Sequence, residues 1–197
     1  MFLLFVFVYN VNSSKAKSIQ SQKHIYERVA RQLNVKDPNK LTDEDFENIQ
    51  EVMIGLNEIA TVKTLLKLKN LKRIEFIYYQ DPGLNMNLDL GTLAKLQKLR
   101  VIKFTTVELS SGFIKAKWYE KVFPSLIRLR YRIKPFDLGT LRKLKQIESL
   151  SISHEKIRNI MALASLGNLK ELALSKTKLS PKQREKLQKA LPGLNIH

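Results

Sequence analysis

The sequence predicts an α/β solenoid of about six stacked coils. Each coil lays one short strand into a shared parallel sheet on the concave face. Irregular or helical turns form the convex side, and a helical cap closes each end. Two observations lead there. The segments Asp89–Leu96 and Asp137–Leu144 both read Asp-Leu-Gly-Thr-Leu-x-Lys-Leu, differ only at Ala94 versus Arg142, and lie 48 residues apart. A template apolar-x-x-apolar-x-x-apolar-x-apolar also recurs six times.

The copies are Phe46, Ile49, Val52, Ile54; Leu68, Leu71, Ile74, Phe76; Leu96, Leu99, Ile102, Phe104; Phe123, Leu126, Leu129, Tyr131; Leu144, Ile147, Leu150, Ile152; and Leu166, Leu169, Leu172, Leu174. In the closing apolar-x-apolar step, side chains alternate across a strand, so the apolar members turn inward and their neighbours face out. A single coil cannot bury its apolar side alone, so neighbours must stack. The second template positions fall at 49, 71, 99, 126, 147 and 169, with intervals of 22, 28, 27, 21 and 22 residues. On these residues the chain resembles the leucine-rich-repeat family over roughly 41–179. It departs from the family at one place. The usual Asn, three residues past the last strand position, is present only as Asn57; Tyr79, Val107, Lys134, Glu155 and Thr177 stand at the other sites. The convex turns are therefore expected to be irregular, with helical turns in the two longer repeats, including one over residues 112–122.

The chain divides into a signal-like segment at 1–16, a helical N-terminal cap at 17–45, repeats at 46–179 and a C-terminal helical cap at 180–197. Ile25, Val29 and Leu33 recur every four residues and mark one face of a helix over 21–33. Asp37-Pro38 ends it. Thr42 then caps a short helix with Asp43, Glu44 and Asp45 in its first turn. This succession resembles the helical cap of bacterial internalin-like repeat proteins. At the other end, Ser180-Pro181 opens a basic helix that turns Leu187 and Leu191 inward, and Leu191, Leu194 and Ile196 close the last coil.

Charge is uneven. The chain carries 35 Lys and Arg against 18 Asp and Glu, a formal net of +17. Residues 1–60 hold 7 basic and 8 acidic residues, whereas 61–197 hold 28 and 10. A field of that sign attracts acidic proteins, nucleic acids or acidic polysaccharides. The chain has no Cys, which excludes disulfides, thiolate catalysis and Cys-ligated metals. The run Met1–Tyr9 is apolar but too short to span a bilayer as a helix. Ser14 and Ala16 follow at positions suited to signal-peptidase cleavage, so export to the periplasm, cell surface or exterior is expected, although the usual basic start is missing.

No chemistry is legible. His24, His154 and His197 are scattered, and no nucleophile elbow, phosphate-cradling loop or dinucleotide fingerprint is present. Asp43, Glu44 and Asp45 read as first-turn acids rather than metal ligands. Ser149, Ser151, Ser153 and His154 lack an accompanying acid. The reading is of a chain that is not an enzyme and needs no cofactor or metal.

The outward strand positions carry the expected binding surface. Arg128, Arg130 and Arg132 are read as one cationic strand face, with Lys103 on the preceding strand beside Arg130 and Lys134 just past the strand end. Arg73 and Glu75 extend the charged area, and Ile77, Tyr78 and Val101 add an apolar anchor beside it. An apolar anchor next to a basic ridge suits a protein partner with an acidic rim. The alternative is a polyanion, either nucleic acid or acidic polysaccharide. Few aromatics interleave with the basic positions, which leaves base stacking little to work with.

Overall fold

The computed structural model describes residues 25–55, 62–79, 89–107, 135–154 and 156–197. Residues 25–32 form helix α1. Ile25 and Val29 are fully buried and Leu33 packs against the same core, as their four-residue spacing requires. Asp37 then accepts from the Asn39 N–H at 3.0 Å and starts a single 3-10 turn, Pro38–Lys40. Helix α2, Asp43–Asn48, opens with a reciprocal cap. The Asp45 N–H donates to Thr42 Oγ1 (3.3 Å), while Thr42 N–H donates to Asp45 Oδ2 (2.7 Å). The Thr42 N–H, and after it the Thr42 hydroxyl donating to the same oxygen at 2.9 Å, hold the Asp45 carboxyl below the usual carboxylate range. Tyr26 meets Phe46 edge-on at 4.7 Å, fastening the cap to the first coil.

Six parallel strands form the main sheet: β1 (Glu51–Gly55), β2 (Arg73–Tyr79), β3 (Val101–Val107), β5 (Ser149–Ser153), β7 (Glu171–Ser175) and β8 (Asn195–Ile196). They are ordered β1-β2-β3-β5-β7-β8. Between them in sequence, β4 (Phe136–Asp137) and β6 (Ile157–Arg158) pair as a separate two-stranded ribbon. The described convex segments Val62–Lys67, Leu90–Lys95, Leu138–Leu141 and Ile160–Ser165 are 3-10 turns. Helix α3, Pro181–Ala190, begins with Ser180 and Gln183 capping each other and seals the far end with Leu187 and Leu191.

These are the stacked coils of a leucine-rich-repeat solenoid. Inward positions align from strand to strand: Val52, Ile74, Ile102, Leu150 and Leu172 form one row, and Ile54, Phe76, Phe104, Ile152 and Leu174 the next. All are buried except Leu174, which packs partly against the core. Phe76 stacks on Phe104 at 5.2 Å, and Phe104 meets Phe136 at 4.7 Å. A second regularity runs just ahead of each strand, where one carbonyl accepts two N–H groups of the next coil. Gln50 O takes those of Lys72 and Arg73, Lys72 O those of Arg100 and Val101, Arg100 O those of Glu148 and Ser149, and Glu148 O those of Lys170 and Glu171, all at 2.7–3.1 Å.

Two expectations change. The expected order sets the fourth template copy, residues 123–131, between the third and fifth; those residues lie outside the described ones. β3 pairs directly with β5, Val101 opposite Ser149 through Phe104 opposite Ile152, and hydrogen-bonded neighbours leave no space for a strand between them. The sixth strand is instead Asn195–Ile196, within the expected C-terminal cap. The helix expected over 112–122 lies outside the described residues, as do residues 1–16.

The missing Asn has substitutes on the opposite turn. Before β2, β5 and β7 an amide reaches back to the preceding coil. Asn70 Nδ2 donates to Glu47 O (2.8 Å), Gln146 Nε2 to Leu93 O and Leu96 O (3.2 and 3.3 Å), and Asn168 Nδ2 to Lys145 O (2.9 Å). No buried side-chain nitrogen or oxygen lacks a partner among the described residues.

Leu150 is 1% exposed in the middle of the spine. Leu150→Ala is expected to lower unfolding free energy by about 2–5 kcal/mol through the cavity it leaves, measured by chemical denaturation. A loss below about 0.5 kcal/mol, the scale of ordinary surface substitutions, would contradict the inward placement.

Candidate functional site: the concave sheet and the turn flank

The alternation of the strands aims one set of side chains out of the sheet. Glu51 and Met53 project from β1, Arg73, Glu75 and Ile77 from β2, and Val101, Lys103 and Thr105 from β3. Ser149, Ser151 and Ser153 follow on β5, then Glu171, Ala173 and Ser175 on β7. The register makes Met53, Glu75, Lys103, Ser151 and Ala173 a single row across five strands.

The centre of this face is an anchored ion pair. Lys103 Nζ lies 3.0 Å from Glu75 Oε1, and Thr105 Oγ1 donates to the same oxygen at 2.6 Å. Partial burial pushes the Glu75 carboxyl up, but the bonds from Thr105 and Lys103 and the attraction of Lys103 and Arg73 outweigh it. The net result lies below the usual carboxylate range. The pair is ringed by apolar groups: Met53, 47% exposed, opposite Glu75, and half-buried Ile77 and Val101 two residues along their strands.

Of the expected site residues, Arg73, Glu75, Ile77, Val101 and Lys103 come together on this face. Tyr78 belongs to β2 by its backbone. Arg128, Arg130, Arg132 and Lys134 lie outside the described residues. Lys103 faces Ser151, and its expected place beside Arg130 is corrected by the β3–β5 pairing. The described concave face is therefore not a basic ridge: Arg73 and Lys103 are set against Glu51, Glu75 and Glu171.

Much of the described positive charge sits instead on the turns that lead into the strands, a feature absent from the expected site. These turns carry Lys67, Lys69 and Lys72, then Lys95, Lys98 and Arg100, then Arg142, Lys143 and Lys145, and finally Lys170. Their one carboxylate is Glu148. It spans two neighbours, Arg100 at 3.3 Å and Lys170 at 2.8 Å, and its carboxyl is held below the usual range mainly by Lys170. Lys69 pairs with Glu47 of α2 at 2.9 Å. The signal was present in sequence as Lys-Leu-Lys-Asn-Leu-Lys and Lys-Leu-Gln-Lys-Leu-Arg, whose leucines are fixed inward.

The serines and His154 do not form a catalytic set. Ser149, Ser151 and Ser153 point outward, whereas His154 is 6% exposed beside Phe136, its Nδ1 accepting the Lys156 N–H at 3.0 Å. Asp137 is likewise committed to a turn. Asn159 Nδ2 and the Gly139 N–H each donate to its Oδ1 at 2.8 Å, and Arg158 pairs with its Oδ2 at 2.9 Å, which together hold its carboxyl low. Among the described residues no group of three His, Cys, Asp or Glu could hold a metal ion, and no helix is long and apolar enough to cross a membrane.

No protein-family model matches the chain, and no curated protein matches it. Solved structures do. A leucine-rich-repeat protein of Leptospira interrogans is 15% identical over 68% of this chain, with a TM-score of 0.40. An internalin of Listeria monocytogenes, InlF, is 14% identical over 90%, with a TM-score of 0.37. Internalin C2 of the same organism is 18% identical over 88%, with a TM-score of 0.29. This chain spans 27% of the Leptospira protein, 57% of InlF and 92% of internalin C2. The fold assignment rests on this chain's own coils and register.

Because the folded Glu75 carboxyl is lowered, its contribution to stability is full above the ordinary carboxylate range and is lost as pH falls through the folded value. Glu75→Gln is expected to cost about 0.5–1 kcal/mol at neutral pH, the scale of a partly exposed pair. The gap to the parent should close as pH falls, in denaturation curves taken across acid pH. A gap that persists undiminished in acid would contradict the pairing.

Proposed function

We propose that the chain is a non-catalytic binding module whose concave sheet takes a protein partner. One observation carries the reading. Met53, Ile77 and Val101 surround an ion pair already fixed by Thr105, so an apolar contact and an oriented charge pair are offered together. Such a centre suits a protein interface, where anchors in a partly desolvated patch supply most of the energy. The ordering cost is small, because strand side chains on a stacked sheet have little freedom left to lose. The neighbouring Ser149, Ser151, Ser153 and Ala173 are short and leave room for an approaching chain.

Export is part of the same reading, motivated by the apolar Met1–Tyr9 run and the small residues Ser14 and Ala16. N-terminal sequencing of protein recovered from an exporting bacterial host checks it, with a start at Lys17 expected. An intact Met1 in exported protein would reject the cleavage site.

The concave reading is tested with a photo-crosslinking residue at Ser151 and, separately, at Lys186 on the exposed side of α3. A protein adduct is expected from Ser151 alone. It should be lost in a Met53→Asp, Ile77→Asp variant that keeps the parent's melting temperature. Adducts formed equally from both positions, or undiminished in the variant, would place the partner elsewhere.

A further inference from the structure

A cationic strip on the turn flank is not explained by a partner on the concave sheet. Stacking brings the same turn position of successive coils into line: Lys67, Lys95 and Lys143 stand immediately before the inward Leu68, Leu96 and Leu144. Lys98, Arg142 and Lys145 fill the spaces around that line. All six are exposed. None is paired with a carboxylate among the described residues. Lys67 meets the Tyr26 hydroxyl, Lys98 Nζ meets Asn70 Oδ1 at 2.7 Å, and Lys145 meets the Ser165 carbonyl. These neutral acceptors orient the ammonium groups without cancelling their charge. The stem of Lys143 lies over Gly91 of the preceding coil, where an added Cβ would come within 3.1 Å of it. That contact lays the charge across the coil boundary.

Neighbouring coils of a parallel sheet lie about 4.8 Å apart. Like charges held on neighbouring coils repel one another. A ligand with its own closely spaced negative charges removes that repulsion along the strip. The strip also says what the ligand is not. The described turns 67–72, 95–100, 142–148 and 165–170 contain no aromatic residue, and the Tyr26 ring beside Lys67 is half-buried, so bases have little to stack on. Their large apolar side chains, the paired Leu and Ile, are buried, so a protein partner finds no anchor there.

We infer that the turn flank marked by Lys67, Lys95 and Lys143 is a second binding surface, for a linear anionic polysaccharide lying across the coils. It is independent of the concave site and requires no partner there. Each contact is a charge contact, so affinity falls steeply with salt through counterion release.

Heparin is the probe, with the full chain titrated from low to physiological salt. The variant Lys95→Gln, Lys98→Gln, Lys143→Gln is expected to bind at least tenfold more weakly at low salt. Its log–log salt slope should be shallower by about 2, near 0.7 for each lost charge. The matching Lys→Arg variant should bind like the parent, and so should Arg73→Gln, Lys103→Gln on the concave face. A measurement on the unaltered chain stands beside the variants: heparin should protect Lys95 and Lys143 from acetylation and leave Lys103 as reactive as before. Unchanged affinity and slope in the Gln variant overturn the proposal, as does equal loss in the concave variant or protection of Lys103 alone. A single-stranded oligonucleotide that displaces heparin at equal charge concentration overturns the choice of polysaccharide. Loss of the concave photo-adduct leaves this result untouched, so the two surfaces fail separately.

Discussion

The molecule depends on one stacking step, repeated. A coil of this kind has an apolar edge on each side and cannot exist alone. The step joins a buried row, Val52 to Leu172, to a row of shared carbonyls at Gln50, Lys72, Arg100 and Glu148 that each take two N–H groups from the coil above. Together they fix register. A slip of one residue would drive Glu75 and Lys103 into the core and leave Phe76 and Phe104 in water. The alternation that creates a binding face is therefore held by the same bonds that hold the fold.

That constraint also sorts the charge. Within Lys67–Arg73 the two leucines are committed to the core, and every other position of the turn is free to be basic. On the strands, outward residues of adjacent coils stand side by side: Lys103 meets Glu75 across the register, and Arg73 stands opposite Glu51 and two residues before Glu75. The concave face is compensated and specific in shape. The turn flank is repetitive and only partly compensated: Glu47 takes Lys69, Glu148 takes Arg100 and Lys170, and Lys98 and Lys145 meet neutral groups of the neighbouring coils.

Much of this was legible in the residues. Among the described residues each of five template copies carries a strand, the Thr42 and Ser180 caps form as their sequences ask, and Ile25 and Val29 face the core. The failures have physical causes. Spacing alone does not set the stacking order: the copy at Phe123–Tyr131 satisfies the local spacing, while β3 and β5 pair directly. Each described convex 3-10 turn buries a leucine three residues before the template: Leu65, Leu93, Leu141 and Leu163. At that spacing before Phe123 the sequence has Glu120, a residue costly to bury unpaired. The twin motifs 48 residues apart were the other sign, since they turn out to occupy the same position in adjacent coils. The strand at Asn195–Ile196 was hidden by its length, because a two-residue strand has no alternation to read. The amides of Asn70, Gln146 and Asn168 were hidden because their partners are backbone carbonyls of another coil, which no local pattern names.

The most direct test of the stacking order is the contact between β3 and β5. The chain has no Cys, so a pair introduced by Lys103→Cys and Ser151→Cys would be its only thiols. Treatment with a short bifunctional thiol reagent at low protein concentration should join them within one chain at high yield. The pair Met53→Cys, Ala173→Cys, in the same row but four strands apart, should be joined poorly. Efficient joining at 53 and 173, with little at 103 and 151, would mean that the register described for these coils is wrong.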